Sequence, residues 1–227
     1  MGSILNSYFD KIYCINLDKR TDRWNEVQAQ FKKHGIEVER FSAENGNTMG
    51  WKKDKYTLKP GAFNGVAGCI ASHIKLYKIA KENNYKNILI IEDDCDFIDD
   101  LNEKFSKLIK EVPEDWDLLY LGGVHESRYG TQFKPERLTD NVLIGKRIIT
   151  TTCYAIKNTI YDLAINTVME DFPYFYTAID GYLGAVIQPK CKTYAFHPPF
   201  AWQRASYSDV QNGHRDYANM MRYNNIK

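Results

Sequence analysis

Ile88-Leu89-Ile90-Ile91-Glu92-Asp93-Asp94-Cys95-Asp96 sets a run of branched aliphatic residues directly against a cluster of acids. The apolar run reads as a buried strand. Open α/β sheets keep their ligands at the carboxyl ends of such strands. Carboxylates this close repel one another unless a cation shares them. Oxygen donors with no neighbouring His or CxxC suit a hard divalent ion such as Mg2+ or Mn2+. The alternative is a solvated turn. An EF-hand fails, because the loop lacks the central glycine and puts Phe105 where the closing glutamate belongs.

Before this strand, 11–17 reads as a first buried strand closed by the polar loop Asp18-Lys19-Arg20-Thr21-Asp22-Arg23. An amphipathic helix over 24–34 follows, with Trp24, Val27 and Phe31 at helical spacing and Gly35 as its stop. A strand over 38–41 and a polar loop over 46–61 lead to a helix over 66–81, whose stripe is Val66, Ile70, Ile74 and Tyr77. After the acids, Asp100-Leu101-Asn102-Glu103 reads as a capping box for a helix over 100–110. A strand over 116–121 is ended by Gly122-Gly123, and a charged excursion over 125–147 precedes a strand over 148–156. Helices over 159–169 and 179–187 and a last strand over 192–196 complete the series. The alternation predicts an α/β fold, a mostly parallel sheet flanked by helices, in one domain over 1–227. Residues 204–227 form a tail or flap laid over it.

Composition narrows the function classes. Hydrophobic residues at 44% of 227 support a real core, and a net charge of +1 argues against nucleic acid or membrane recruited by bulk electrostatics. Sixteen Tyr and eleven Phe leave some to stack on bases or sugars. Cys14, Cys69 and Cys153 lie in apolar stretches and read as small buried hydrophobes, with no CxxC in the chain. There is no signal peptide and no run of about 18 apolar residues. Asn6 stands where an N-myristoylation signal wants Ser or Thr, so a cytoplasmic protein without a transmembrane segment is expected. GxxxxGK[ST], GxGxxG and GxSxG motifs are all missing, which removes P-loop, dinucleotide and α/β-hydrolase chemistry.

A metal-held acid cluster beside a basic loop fits a diphosphate-bearing substrate. The metal would bridge phosphate oxygens while Arg20 and Arg23 add charge or hold the base end. The alternative for both arginines is a solvated loop paired with Asp18 and Asp22. Residues two apart in an extended chain face the same way, so Glu92 with Asp94 or Asp94 with Asp96 can hold the ion. Asp94 belongs to both pairs. His197, after the last strand and before two prolines that stiffen its backbone, is a candidate third ligand; a packing role is the alternative.

Several segments resemble glycosyltransferase family 25, which contains lipooligosaccharide galactosyltransferases and collagen β-galactosyltransferases. They are Ile15-Asn16-Leu17-Asp18-Lys19-Arg20-Thr21-Asp22-Arg23, Gly65-Val66-Ala67-Gly68-Cys69-Ile70-Ala71-Ser72-His73 and Ile91-Glu92-Asp93-Asp94. Trp116-Asp117-Leu118-Leu119-Tyr120-Leu121-Gly122, Thr152-Cys153-Tyr154-Ala155-Ile156, Ile179-Asp180 and Pro198-Pro199-Phe200-Ala201-Trp202-Gln203 resemble its later segments in order.

The resemblance implies a GT-A type, Rossmann-like fold, a UDP-sugar donor, a divalent metal (usually Mn2+) and inversion at the anomeric carbon. By position, Glu92-Asp93-Asp94 is the family's acidic strand end, and Asp96 extends it into a DxD spelling. Asn16, Arg20, Arg23, Ser72, Asp93 and Gln203 fall on the donor-binding side. Asp180 matches an acid facing the acceptor, placed to act as the base, with a helix N-cap as the alternative. His73 reads as a structural histidine, and Ser208 and Asp209 as a closing segment. The expectation is a hexosyltransferase moving galactose or glucose from UDP to a hydroxyl acceptor, a glycan or a hydroxylysine of a collagen-like protein. Its rivals are a sugar nucleotidyltransferase, whose Gly-rich loop after the first strand is missing, and a noncatalytic carbohydrate- or partner-binding module.

Overall fold

The computed structural model describes residues 2–46, 62–126, 134–170, 177–209 and 213–222. Strand β3 (Asn87–Glu92) carries the aliphatic run. Its side chains alternate between two cores: Ile88 and Ile90 enter one, Leu89 and Ile91 the other. With both faces covered, the four fully buried positions Ile88 to Ile91 are all aliphatic. The first core is closed by α3 (Ala62–Glu82), α5 (Tyr161–Glu170) and α6 (Ile179–Tyr182) through Ile70, Tyr77, Ala164 and Tyr182. The second is closed by α1 (Ile4–Tyr8), α2 (Thr21–His34) and α4 (Leu101–Leu108) through Leu5, Val27, Phe31 and Phe105. Each such large apolar side chain contributes roughly 1.5–3 kcal/mol on burial.

On one side of β3 lie β1 (Lys11–Asn16) and then β2 (Glu39–Ser42), both parallel to it. On the other side come β8 (Ile148–Lys157), β5 (Leu118–His125), β9 (Thr193–Phe196), β7 (Val142–Ile144) and β6 (Glu136–Arg137). β7 and β8 run against the direction shared by the rest of this sheet. The fold is therefore α/β with a mostly parallel sheet flanked by helices, as expected of the GT-A type. The reversal of β8 escaped the simple alternation. That strand lies between β3 and β5 and is antiparallel to both, a placement set by tertiary pairing and not by the local pattern.

Gly35 ends α2 in the left-handed conformation (φ 65°), as its position after the helix predicts. Other details differ. Asp100 builds no capping box: its side chain makes no cap hydrogen bond and pairs with Lys104 at 3.2 Å. Gly122-Gly123 does not end β5, which runs on to His125 with shifted register against β8. Gly122 lies where β10 (Ala201–Gln203) crosses, and a Cβ there would sit 2.4 Å from the Ala201 carbonyl oxygen. The segment 179–187 is α-helical only over α6 and then widens into a π turn over Leu183–Ile187. Beyond Gly46 the expected loop 46–61 lies outside the described residues.

β10 pairs antiparallel with β4 (Cys95–Phe97), and β11 (Ser206–Ser208) with β12 (Gly213–Arg215); α7 (Ala218–Arg222) follows. The Arg204 N–H donates to the Asp94 carbonyl at 2.7 Å, which lays this C-terminal segment against the acid-tipped end of β3. Among the described residues no helix is long and apolar enough to cross a membrane.

Candidate active site

β1 and β3 are parallel neighbours, so Asn16 and Asp93 emerge side by side at their carboxyl ends. The Asn16 Nδ2 donates to Asp93 Oδ2 at 2.7 Å. The start of α2 presents Arg23 in its first turn, with Arg20 at the N-cap position before it. Arg23 spans both aspartates: Nη1 donates to Asp93 Oδ1 at 2.6 Å and Nη2 to Asp94 Oδ2 at 2.5 Å. Gln203 Nε2 reaches the same Asp94 oxygen at 2.9 Å. Asp94 Oδ1 is buried with no hydrogen-bond partner among the described residues. A bare, buried carboxylate oxygen is costly unless something electropositive meets it.

A cavity of about 190 Å3 opens beside these acids. α3 supplies one wall through Gly68, Cys69, Ser72 and His73, and the end of β3 with the turn after it supplies Glu92, Asp93 and Asp94. Segment 44–46 closes another wall by passing against α3 where only glycines allow it. A Cβ on Gly68 would lie 2.4 Å from the Glu44 carbonyl oxygen, and one on Gly46 1.7 Å from that of Asn64. Ser72 fastens the crossing, accepting from the Glu44 N–H at 2.9 Å and donating to the Gly68 carbonyl at 2.7 Å. Gln203, Ser208 and Asp209 line the side formed by the C-terminal segment.

The electrostatics follow from crowding acids in a dry place. Burial, with the charge of Asp94, pushes Glu92 up to about 8, against a hydrogen bond from Thr151 Oγ1 at 2.6 Å. Burial raises Asp93 to about 6 although Arg23 pulls it down. His73 is driven down to about 3 by burial and is neutral. Its Nδ1 meets the Tyr154 hydroxyl at 2.7 Å, and its Nε2 lies 4.0 Å from Glu92 Oε1. The expected structural role of His73 is thus joined by a place in the cavity wall.

Residues 9–172 match the family described as "Glycosyltransferase family 25 (LPS biosynthesis protein)". The chain belongs to glycosyltransferase family 25. It is 30% identical over 152 residues to procollagen galactosyltransferase 2 of Mus musculus, covering 60% of this chain and 23% of that protein. The Homo sapiens counterpart is 31% identical over 151 residues, covering 59% and 23%. A putative glycosyltransferase, R655, of Acanthamoeba polyphaga mimivirus is 31% identical over 119 residues, covering 49% and 37%. The match thus spans about a quarter of the curated galactosyltransferases. Among solved structures, a glycosyltransferase involved in glycosylation of the major capsid of PBCV-1 superposes with TM-score 0.48 at 9% identity, covering 82% of this chain and 79% of that one. A Drosophila β-1,4-galactosyltransferase 7 complex with manganese, UDP-Gal and xylobiose gives TM-score 0.41 at 8% identity, covering 93% and 73%.

The family-25 segments at 15–23, 65–73 and 91–94 therefore meet around one cavity, and Gln203 joins them. Arg20 faces the C-terminal segment, donating to Asp209 Oδ2 at 2.5 Å and the Tyr207 carbonyl at 3.1 Å, and also pairs with Asp22. The expected metal trio is not gathered in one place. Asp96 turns into a separate depression with Gln30, Trp202 and Arg222, where Arg204 Nη1 donates to it at 2.7 Å. The β4–β10 pairing, Asp96 opposite Trp202, sets that direction. His197 lines a small cavity of about 10 Å3 with His125 and Tyr120, and burial lowers its pKa.

Asp180 lies within α6, whose N-cap position is held by Ala178 without a side-chain cap hydrogen bond, so Asp180 is not the N-cap. Its carboxylate still accepts two N–H groups, from Gly181 at 2.8 Å and Thr150 at 3.2 Å, while burial raises its pKa. One wall residue and one partner of the wall were not anticipated. Cys69 is half-buried and faces the cavity, unlike the buried Cys14 and Cys153. Thr151 reaches Glu92 from β8. The signal for Cys69 was its spacing of four from His73, which puts both on one helix face. Thr151 had none, since the place of β8 beside β3 is a tertiary fact.

Proposed function

We propose that this family-25 chain is an inverting, metal-dependent hexosyltransferase that moves galactose or glucose from a UDP-sugar to a hydroxyl acceptor. The acceptor class is a glycan or a hydroxylysine on a collagen-like protein. The observation that carries the reading is Asp94 Oδ1, buried and bare at the edge of a cavity formed where the family segments meet. Divalent ions at phosphate-handling sites are held by one or two carboxylates and complete their shell with substrate oxygens. A single free carboxylate oxygen fits that pattern. Asp94 would hold the ion, and the ion would supply charge to neutralise the departing diphosphate.

The protein groups have separable tasks. Arg23 keeps Asp93 and Asp94 oriented and brings a fixed positive charge to the diphosphate side of the cavity. Asn16 and Ser72 set the position of Asp93 and of the 44–46 wall. Gln203 and Asp209 tie the C-terminal segment across the donor. Asp180 is assigned to the acceptor hydroxyl proton; its charge is felt at Glu92 in the cavity wall, and a raised pKa suits a carboxylate that must take up a proton.

The test is release of UDP from UDP-galactose and UDP-glucose with Mn2+. Asp94→Asn should lower the rate by about 100-fold or more, the size of a lost charge contact to the leaving group. Unchanged release in a folded Asp94→Asn protein overturns the reading.

A further inference from the structure

Cys69 and His73 stand one helical turn apart on α3, facing the end of β3. The Cys69 Sγ, a His73 ring nitrogen and a Glu92 oxygen all lie within 4.8 Å of one another. We propose that Cys69, His73 and Glu92 form a binding site for a borderline transition metal of the zinc or cobalt class, with an open coordination position toward the cavity.

Mixed sulfur, nitrogen and oxygen donors select this class of ion, whereas oxygen-only sets select Mg2+ and Mn2+. The site is therefore chemically distinct from the one assigned to Asp94. Zinc–nitrogen and zinc–sulfur bonds of ~2.0 and ~2.3 Å place tetrahedral donors about 3.5 Å apart. From separations of at most 4.8 Å, closing on an ion needs shifts of less than about an ångström from each side chain. Three protein ligands with a fourth position free is the pattern of zinc sites that act on a bound molecule.

The surroundings fit ligation. A metal-bound histidine has its other nitrogen held by an outer partner. Here that nitrogen is Nδ1, at the hydroxyl of Tyr154, which is itself 2.5 Å from the hydroxyl of Tyr77. Thr151 holds the carboxylate in the same way. Burial keeps the His73 ring neutral, so a nitrogen lone pair is available. As the ion binds, the thiol and any protonated carboxyl release their protons to solvent. The cavity gives entry, since Cys69, His73 and Glu92 all line it.

The inference stands apart from glycosyl transfer, so its test uses the protein without nucleotide. Titration with Co2+ should produce a thiolate-to-cobalt charge-transfer band with visible d–d bands, saturating at a single equivalent and displaced by Zn2+. Cys69→Ser, with an unchanged circular dichroism spectrum, should lose the charge-transfer band. In the unmodified protein, Zn2+ should slow N-ethylmaleimide labelling of Cys69 by about tenfold or more, because a metal-bound thiolate is withdrawn from reaction. Labelling of the half-buried Cys191 should be unaffected. No charge-transfer band, or Cys69 labelling at the same rate with and without Zn2+, overturns the proposal whatever the enzyme's activity.

Discussion

Asp94 and Asp96 are two residues apart and share a residue type, but the fold gives them opposite circumstances. Asp94 is 2% exposed, gripped on one oxygen by Arg23 and Gln203 and bare on the other. Asp96 is 20% exposed and paired with Arg204 in a separate, open depression. The difference comes from what each backbone position does. Asp94 closes the turn off β3, while Asp96 sits in β4 and takes its direction from pairing with β10. A DxD spelling is therefore a statement about sequence spacing, and strand pairing decides whether its two acids meet.

The largest expected effect concerns stability. Arg23 is 12% exposed and is the direct cation for both Asp93 and Asp94. Arg23→Ala strands buried carboxylates and should cost about 3–5 kcal/mol in urea unfolding at neutral pH. Arg204→Ala, on the Asp96 side, should cost about 1 kcal/mol or less, as partly exposed ion pairs do. Equal losses in the two variants would erase the contrast between the two regions.

The same contrast shows what could be read beforehand. Strands β1, β3 and β5 were legible because double burial demands continuous apolar runs, and Gly35 was legible because a left-handed cap demands glycine. The place of the acids at the end of β3 was legible for the same reason: the apolar run ends where the doubly buried part of the strand ends. What was hidden depended on neighbours far along the chain. The grip of Arg23 on Asp94, the turning away of Asp96, the placing of His197 in another cavity and the hold of Thr151 on Glu92 all follow from which strands pair. The capping box failed because the Asp100 backbone, at φ −96° and ψ 30°, is not in the extended conformation from which a capping side chain reaches the next N–H groups.

A smaller effect comes from the titration of the cluster. Glu92 moves from 4.5 to about 8 on folding, and Asp93 from 3.8 to about 6. Between those limits the folded chain holds protons that the unfolded chain has released. Stability from these groups is therefore full below about pH 4 and is lost as pH rises toward 8. The melting temperature without divalent ions should fall across that window, and Glu92→Gln should flatten the fall. A melting temperature that climbs through the same range, or a slope identical in Glu92→Gln, would contradict the environment described for Glu92.

The smallest effect sharpens the comparison most. Asp96→Asn keeps the shape of the side chain and a weaker bond to Arg204, and it leaves Asp94, Arg23 and Gln203 untouched. Stability should change by about 1 kcal/mol or less. Metal-dependent UDP release should stay within about threefold of the parent, since less than 1 kcal/mol of transition-state stabilisation is at stake. Asp94→Asn, assayed beside it, carries the large loss. A large loss in Asp96→Asn would mean that donor binding pulls β4 and β10 apart and swings Asp96 toward Asp94. The β4–β10 ladder would then be the moving part of the site. Hydrogen exchange at Ile98 and Arg204, whose N–H groups donate across this pair to the Phe200 and Asp94 carbonyls, compared with and without UDP, separates that outcome from a fixed ladder.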